Sequence, residues 1–247
     1  MRAIGIVAAM RMEARCVTPF RLPFNQMISL GESAAIWLCG MGEEAAREAA
    51  EGLRAGGATA LISFGLAGAL NPGLRPGDLI LPEFIHAGRS LEVDLGWRAR
   101  LQQRLPAHLR VAGGTLATSK QVLTSATAKR DLAQVTGACA VDMESGGVAA
   151  TAAHAGMPFL AVRAISDPAE FSPPSILLGA VRRDGSADLA CLLPLLLRGS
   201  VTLGTLLRLA MGSRAACSTL SIVVRYADRE MGITSNHSAD TRRIREG

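Results

Sequence analysis

The run Phe159-Leu160-Ala161-Val162-Arg163-Ala164-Ile165 decides the class of fold, because so apolar a stretch predicts a strand that is covered on both faces. The run Ile4-Gly5-Ile6-Val7-Ala8 has the same character. Strands that are buried on both faces are typical of a mostly parallel sheet. Further short apolar or β-branched runs are also predicted as strands: Ala35–Cys39, Ala60–Phe64, Leu79–Leu81 and Val111–Ala117.

Two helices are predicted between these strands. Glu43–Arg54 opens with acidic residues, carries arginine later and is followed by two glycines, a pattern that fits the helix dipole and helix termination. Ser145–Ala155 ends at Gly156 and Pro158. The alternation of strands with helices predicts an α/β fold, a single-domain α/β/α sandwich around a mostly parallel, mixed central sheet.

The composition fits one folded domain with a polar tail. A chain of 247 residues that is 49% apolar can bury one sizeable core. We predict a domain over residues 1–225, with leucine-rich helices over about 175–225, and a disordered tail over 226–247. Pro194 and Arg198 interrupt the leucine run, so no transmembrane helix is expected there. The leucines at helical spacing are Leu189, Leu192, Leu193, Leu196 and Leu197.

The formal charge of +5 is carried almost wholly by arginine, since Lys120 and Lys129 are the only lysines. This excess fits an anionic substrate or an anionic membrane face, and a bias in genome composition explains it equally well. Because no aromatic residues interleave with a basic patch, no nucleic-acid partner is expected. The five scattered cysteines form no C-x-x-C pair, which argues against disulfides and structural zinc and favours a cytoplasmic location.

Acidic residues follow three of the predicted strands, at the edge where ligands bind in open α/β sheets. Glu13 comes shortly after the first strand, Asp142 and Glu144 stand at the start of a helix, and Asp167 closes the last strand. Each has an ordinary structural explanation when it is taken alone. Acids stabilise helix starts, and an aspartate before proline opens a turn.

Two glycine-rich turns accompany these acids. Gly40-Met41-Gly42 lies between a strand and a helix, where backbone N–H groups can receive an anion. The second turn runs from Gly65 to Asp78. A packing role explains either turn alone. No G-x-G-x-x-G follows the first strand, which disfavours a dinucleotide-binding oxidoreductase.

Taken in order, these segments resemble the superfamily of purine nucleoside phosphorylases and methylthioadenosine/S-adenosylhomocysteine nucleosidases. The resemblance covers roughly residues 2–168. It implies the nucleoside phosphorylase type of α/β/α sandwich, a homo-oligomer, and an enzyme that cleaves the N-glycosidic bond of an adenine nucleoside. The segments that carry it are Ile4–Met10 with Glu13, Gly40–Gly42, Gly65–Asp78, Val141–Glu144 and Arg163–Asp167.

The resemblance also implies a role for each matched residue. Asp167 would be the general acid that protonates N7 of the departing purine, and Glu13 would position or activate the attacking water. Glu144 would hold the ribose hydroxyls. The remaining implied substrate contacts are Met143 against the sugar, Val122 and Leu123 against the base, and Asp142, Ser166 and Gly68 beside them.

These residue types suit glycosidic bond cleavage, in which positive charge develops on the ribose and negative charge on the purine. A carboxyl group at N7 relieves the negative charge by general acid catalysis, which contributes about 10²–10⁴-fold. A carboxylate at the sugar complements the cationic ring. The reaction needs no metal or organic cofactor, and phosphate would be a co-substrate only in a phosphorylase.

Three departures weaken the match with ordinary methylthioadenosine nucleosidases. Leu66 stands where the hydrolytic branch usually has a small polar residue. The segment of residues 118–121 differs from the typical base-contact segment, and Asp142 replaces a glutamate. The glycine-rich turn, Arg163–Pro168 and the late leucine- and arginine-rich region resemble instead the bacterial hopanoid-associated phosphorylases. This resemblance implies phosphorolytic release of adenine from adenosylhopane, a lipid-linked nucleoside, in hopanoid biosynthesis.

A lipid-linked substrate would give the late region a function. Its leucines and arginines would form an amphipathic surface in peripheral contact with the inner face of the membrane. An ordinary core or oligomer helix explains the same pattern. The residues concerned are Leu203, Leu206 and Leu207 with Arg198, Arg208 and Arg214.

The nucleophile stays open at the level of sequence. Arg11, Arg15, Arg75 and Gly42 are candidate phosphate contacts, since arginine suits bidentate phosphate binding. A carboxylate at Glu13 would repel phosphate, whereas the resemblance to hopanoid-associated proteins favours a phosphorylase. The alternatives are a hydrolytic methylthioadenosine/S-adenosylhomocysteine nucleosidase and a non-catalytic nucleoside-binding protein.

Overall fold

A computed structural model describes residues 3–171, 173–180, 191, 194–196, 198 and 200–233. The strands are β1 (Ile4–Ala8), β2 (Met27–Ser29), β3 (Ala34–Leu38), β4 (Ala60–Ala69), β5 (Leu79–Ile80), β6 (Phe84–His86), β7 (Ser90–Glu92), β8 (Val111–Ala112), β9 (Thr115–Thr118), β10 (Ala140–Asp142) and β11 (Phe159–Asp167). The helices are α1 (Arg11–Val17), α2 (Glu43–Ala55), α3 (Leu95–Arg104), α4 (Ala126–Thr136), α5 (Ser145–His154) and α6 (Leu203–Tyr226), and 3₁₀-helices cover Ser175–Ala180 and Asp228–Met231.

The sheet is built around the long strand β4. β4 pairs in parallel with β1 on one side and with β11 on the other, and β3 lies parallel beyond β1. The last residues of β4 pair antiparallel with β10, so that Val141 lies opposite Gly68. Parallel pairings outnumber antiparallel ones by six to four. The predicted α/β class and the mostly parallel mixed sheet are therefore confirmed.

Each predicted strand corresponds to one strand of the structure except Val111–Ala117, which corresponds to two. β1 has the predicted bounds, whereas β4 and β11 both extend further at their carboxyl ends. The predicted strand Val111–Ala117 is wrong, because Gly113 and Gly114 divide it into β8 and β9. Gly114 has a φ of +94°, which takes the chain out of the extended conformation. β8 pairs with β5, whereas β9 pairs with β6 and β10.

Two helix pairs cover the sheet. α2 packs with α5, and α1 packs with α6, while α6 also lies along β11. Small residues allow the close approach: a Cβ at Gly147 would lie 2.3 Å from the carbonyl oxygen of Glu43. A Cβ at Gly212 would lie 2.0 Å from the carbonyl oxygen of Ser166, so α6 can rest on β11 only through glycine at this point.

The folded chain continues past the predicted tail boundary at residue 226. Met231 is buried in the core, and Trp97 Nε1 donates to the carbonyl oxygen of Glu230 at 2.9 Å. The prediction that the polar tail starts there is therefore corrected, because the chain packs as far as Ile233. Residues 234–247 and the leucines Leu189, Leu192, Leu193 and Leu197 lie outside the described residues.

Among the described helices, α6 alone is long and apolar enough, by length and composition, to cross a membrane. Its inner side is a packing surface of the domain. Ala216, Leu220 and Val223 on that side are fully buried in the core. Its outer side exposes Leu203, Leu207 and Met211.

Candidate active site

The carboxyl-terminal parts of β4, β10 and β11 and the segment that follows β1 meet around one cavity of about 290 Å³. Because β1, β4 and β11 are parallel neighbours, their carboxyl ends lie at the same edge of the sheet. β10 runs back along the end of β4 and so brings its own carboxyl end to the same place. The volume is close to the lower limit of small-molecule sites, about 300 Å³.

The structure gathers the predicted nucleoside contacts around this cavity. Asp167 and Glu144 border the same space, although Asp167 ends β11 and Glu144 stands at the start of α5. The wall is otherwise mostly apolar, with Met10, Met41 and Leu209 among its side chains. The predicted residues that line the cavity are Glu13, Gly68, Val122, Leu123, Asp142, Met143, Glu144, Ser166 and Asp167.

One end of the cavity is organised by a buried arginine to which sequence analysis assigned no role. The Arg163 side chain is 1% exposed, with Nη2 2.9 Å from Asp142 Oδ2 and Nη1 3.8 Å from Glu144 Oε2. A Cβ at Gly65 would lie 2.3 Å from Glu13 Oε1 and 2.4 Å from Arg163 Nη1. Glycine is therefore required where these two side chains converge. We call Glu13, Asp142, Glu144 and Arg163 the carboxylate cluster.

Backbone donors hold Glu13 in place. Its Oε2 accepts hydrogen bonds from the backbone N–H of Ala9 at 3.0 Å and Met10 at 2.8 Å, and its Oε1 accepts one from Leu66 at 2.8 Å. A carboxylate has about four lone-pair positions, so the described residues leave one acceptor position of Glu13 open. Burial raises the pKa of Glu13, while Arg163 and the three N–H donors oppose the rise.

Glu144 stands at the start of α5, and its carboxylate contacts the N-terminus of α2. The N–H of Gly42 donates to Glu144 Oε1 at 2.9 Å, from a backbone with a φ of +110° that favours glycine. Burial, together with Asp142 and Glu13, raises the pKa of Glu144 to about 7 against the opposing effect of Arg163. The anion-binding N–H predicted at Gly42 is thus occupied by a carboxylate of the protein itself.

Asp142 borders the cavity, and its carboxylate is engaged by protein groups. The side chain is 0% exposed and ion-pairs with Arg163. Thr118 Oγ1 donates to Oδ1 at 2.9 Å, and the N–H of Ser145 donates to Oδ2 at 3.1 Å. The Asp142 carboxylate thus holds Arg163 and the start of α5, and its predicted contact with substrate stays a prediction.

The other end of the cavity contains Asp167, Ser166 and Lys129. Ser166 Oγ donates to Asp167 Oδ1 at 2.7 Å, and the Lys129 ammonium donates to Asp167 Oδ2. The Asp167 side chain is 17% exposed, whereas that of Lys129 is 3% exposed. Sequence reasoning missed Lys129. Its rarity in an arginine-rich chain was the one available signal.

The predicted phosphate contacts are not among the residues that line the cavity. Arg11 Nη1 donates to the carbonyl oxygen of Leu22 at 2.8 Å, and its guanidinium lies over the Phe24 ring. Arg15 borders a separate small cleft with Arg11, and Arg75 is exposed. Within the described part of the chain, the cavity wall contains no arginine. In the same residues, no group of three or more His, Cys, Asp or Glu side chains is arranged to hold a metal ion.

Residues 11–190, more than half of the chain, match the family described as the Phosphorylase superfamily. The chain therefore belongs to the phosphorylase superfamily. This membership confirms the predicted superfamily and supports a nucleoside phosphorylase or nucleosidase enzyme. No curated protein sequence matches the chain significantly.

Solved structures share the fold at low sequence identity. The 5′-methylthioadenosine/S-adenosylhomocysteine nucleosidase of Helicobacter pylori superposes with a TM-score of 0.69 at 18% identity, covering 93% of this chain and 98% of that one. Futalosine hydrolase of Helicobacter pylori gives the same values. The 5′-methylthioadenosine/S-adenosylhomocysteine nucleosidase of Neisseria meningitidis, in complex with methylthio-immucillin-A, superposes with a TM-score of 0.69 at 16% identity. The match covers 93% of this chain and 99% of that one. At these identities the likeness shows the fold alone.

Proposed function

We propose that the protein cleaves the N-glycosidic bond of an adenine nucleoside, with Asp167 at the base and Glu144 at the ribose. The observation that carries the proposal is that these two carboxyl groups line one cavity of nucleoside size. Bond cleavage needs one group for the negative charge on the purine and another for the positive charge on the sugar. The nucleosidase activity named for the structural neighbours supports the same reaction class.

In the proposed reaction, a proton passes from Asp167 to N7 of the purine as the bond between C1′ and N9 breaks. The electron pair of that bond stays with the purine. Glu144 accepts hydrogen bonds from the ribose hydroxyls, and Met143 lies against the sugar. Val122 and Leu123 pack against the base. The reaction so written requires no metal or organic cofactor.

We further propose water as the nucleophile, because the carboxylate cluster suits water better than phosphate. Three carboxyl groups surround one guanidinium there, and the described part of the wall contains no arginine to bind a phosphate anion. The open acceptor position of Glu13 is available for a proton from the attacking water. This proposal departs from the phosphorolysis that the resemblance to hopanoid-associated proteins favoured.

Phosphorolysis of adenosylhopane is the second candidate, and one surface supports it. Leu209 and Ser213 of α6 line the cavity, and the same helix exposes Leu203, Leu207 and Met211. An apolar surface beside the site would suit a lipid-linked 5′ substituent and peripheral contact with the inner face of the membrane from the cytoplasm. Homo-oligomer formation would be a further use of the same surface.

The test follows adenine release from 5′-methylthioadenosine and from adenosylhopane, each with and without inorganic phosphate. Hydrolysis predicts release without phosphate. Phosphorolysis predicts release that depends on phosphate and yields a ribose 1-phosphate derivative. Binding of these nucleosides without any adenine release would instead indicate a non-catalytic binding protein, and would contradict the proposal. Asp131→Asn, at an exposed aspartate of α4, is the matched control for substitution at Asp167.

A further inference from the structure

The ammonium group of Lys129 is fully coordinated at the base end of the cavity. Nζ donates to Asp167 Oδ2, to the carbonyl oxygen of Pro168 at 3.0 Å and to that of Phe171 at 2.8 Å. A lysine ammonium has three donors, so each has an acceptor. The residue also lines the cavity itself.

This coordination determines the charge of the general acid in the resting site. A buried ammonium is costly unless it is paired, and two of its three acceptors are neutral carbonyl groups. Asp167 is thus the anionic partner that stabilises Lys129 as a cation. The proposed mechanism, however, needs a proton on this carboxyl group when the purine departs.

In the part of the chain that the structure describes, two side-chain donors contact the Asp167 carboxylate. One is the hydroxyl of Ser166, at Oδ1, and the other is the ammonium of Lys129, at Oδ2. A serine hydroxyl is a much weaker acid than an ammonium group. Of these two donors, Lys129 is therefore the stronger acid.

We propose that Lys129 supplies, through Asp167, the proton that the departing purine takes up; this inference rests on the proposed nucleoside cleavage. An Nζ–H bond breaks as the carboxyl group gains a proton, and the carboxyl group gives its proton to N7. Lys129 ends as a neutral amine, Asp167 as a carboxylate and the purine as a neutral molecule. After the product leaves, the amine regains a proton through solvent, which balances the proton that the attacking water gives to Glu13. Lys129 acts through Asp167 and does not itself contact the substrate in this proposal.

A purely structural role is the competing explanation, because Lys129 also ties the segment from Pro168 to Phe171 to α4. The two roles differ in their dependence on the leaving group. An N7-methylated purine nucleoside already carries positive charge on the base and departs without an N7 proton. Loss of a structural tie would impair both kinds of substrate, whereas loss of the proton source would impair only the unmethylated one.

The experiment compares turnover of an adenine nucleoside and of its N7-methylated form by Lys129→Met and Lys129→Arg, with Arg130→Met at an exposed position of α4 as control. We expect both Lys129 variants to lose at least about 100-fold on the unmethylated substrate, as general acid catalysis implies, and to retain turnover of the methylated one. Arginine keeps the charge but does not release its proton, so it should not rescue turnover.

Equal losses on both substrates, or near wild-type turnover of the unmethylated substrate by Lys129→Arg, would overturn the inference. If Lys129→Met fails to fold, the arginine variant decides the question. A wild-type protein that cleaves neither substrate would contradict the proposed function instead, so the two failures are distinguishable.

Discussion

The two ends of the cavity differ in how charge is arranged. At the carboxylate cluster, three carboxyl groups share one guanidinium, and burial raises the pKa of Glu13 and Glu144. At the base end, one carboxylate meets one ammonium group, in the pair formed by Asp167 and Lys129. One end therefore carries an excess of carboxyl groups, and the other is a balanced pair.

This difference matches the two charges of glycosidic bond cleavage. An excess of carboxylate stabilises a sugar that becomes positive, because preorganised charge acts without reorganisation in a site shielded from water. A carboxyl group that is hydrogen-bonded to an ammonium group can pass a proton to a base that becomes negative, so that the purine leaves as a neutral molecule. The comparison predicts that substitutions at the two ends fail in different ways.

The largest effect is expected at the base end. Asp167→Asn cannot donate the proton, so turnover of an adenine nucleoside should fall by about 10²–10⁴-fold while binding is kept. Steady-state kinetics and equilibrium binding of the purified variant check this. Turnover near that of the wild-type protein and of Asp131→Asn would reject the assignment of Asp167.

At the carboxylate cluster, Glu144→Gln keeps the shape of the side chain but removes its charge. We expect turnover to fall by about 10²–10³-fold, comparable to the loss of one preorganised electrostatic group. Unlike Asp167→Asn, this variant should be as impaired with an N7-methylated nucleoside as with the unmethylated one. Glu48→Gln, at an exposed position of α2, is the control. Full activity of Glu144→Gln on either substrate would contradict the role of this carboxylate in stabilising the positive sugar.

The buried guanidinium should matter more for stability than the buried ammonium. Arg163→Met leaves the acidic groups of the cluster without their cation, and removing one partner of a buried ion pair costs about 3–5 kcal/mol. Lys129→Met leaves only Asp167, which is partly exposed, and should cost less. Urea unfolding of both variants measures their losses of unfolding free energy, with Arg104→Met at an exposed position as the reference. A smaller loss for Arg163→Met than for Lys129→Met would contradict this expectation.

The smallest effect concerns pH. The pKa of Glu144 is raised from 4.5 to about 7, so the folded state binds more protons than the unfolded state between these values. The unfolding free energy should therefore fall as pH rises from about 4.5 to about 7, by on the order of 1–3 kcal/mol. Glu144→Gln should reduce this slope in chemical denaturation measured at several pH values. An unchanged slope in that variant would mean that other groups cause it.

Much of the fold could be predicted because its decisive strands are apolar along their length. The apolar sequences of β1 and β11 indicate burial on both faces. Glu13 after β1 and Asp167 at the end of β11 indicate which edge of the sheet carries the site. The extension of β4 was missed, since its glycines from Gly65 onwards are typical of a turn. In the structure, they are strand residues that leave room for side chains of the site.

The charge partners within the site could not be predicted, because they depend on packing between distant segments. Lys129 meets Asp167 only where α4 rests against the end of β11. Arg163 was visible as a charge inside an apolar strand, but its three carboxyl neighbours come from separate parts of the chain. Likewise, nothing in the pattern of arginines separates surface residues such as Arg75 from residues that face a ligand.

A structure with a bound, uncleavable adenine nucleoside analogue tests the central claim most directly. We predict that N7 of the base lies within hydrogen-bond distance of the Asp167 carboxyl group. The ribose hydroxyls should contact Glu144 in the same complex. An analogue bound in the opposite orientation, or outside this cavity, would contradict the account.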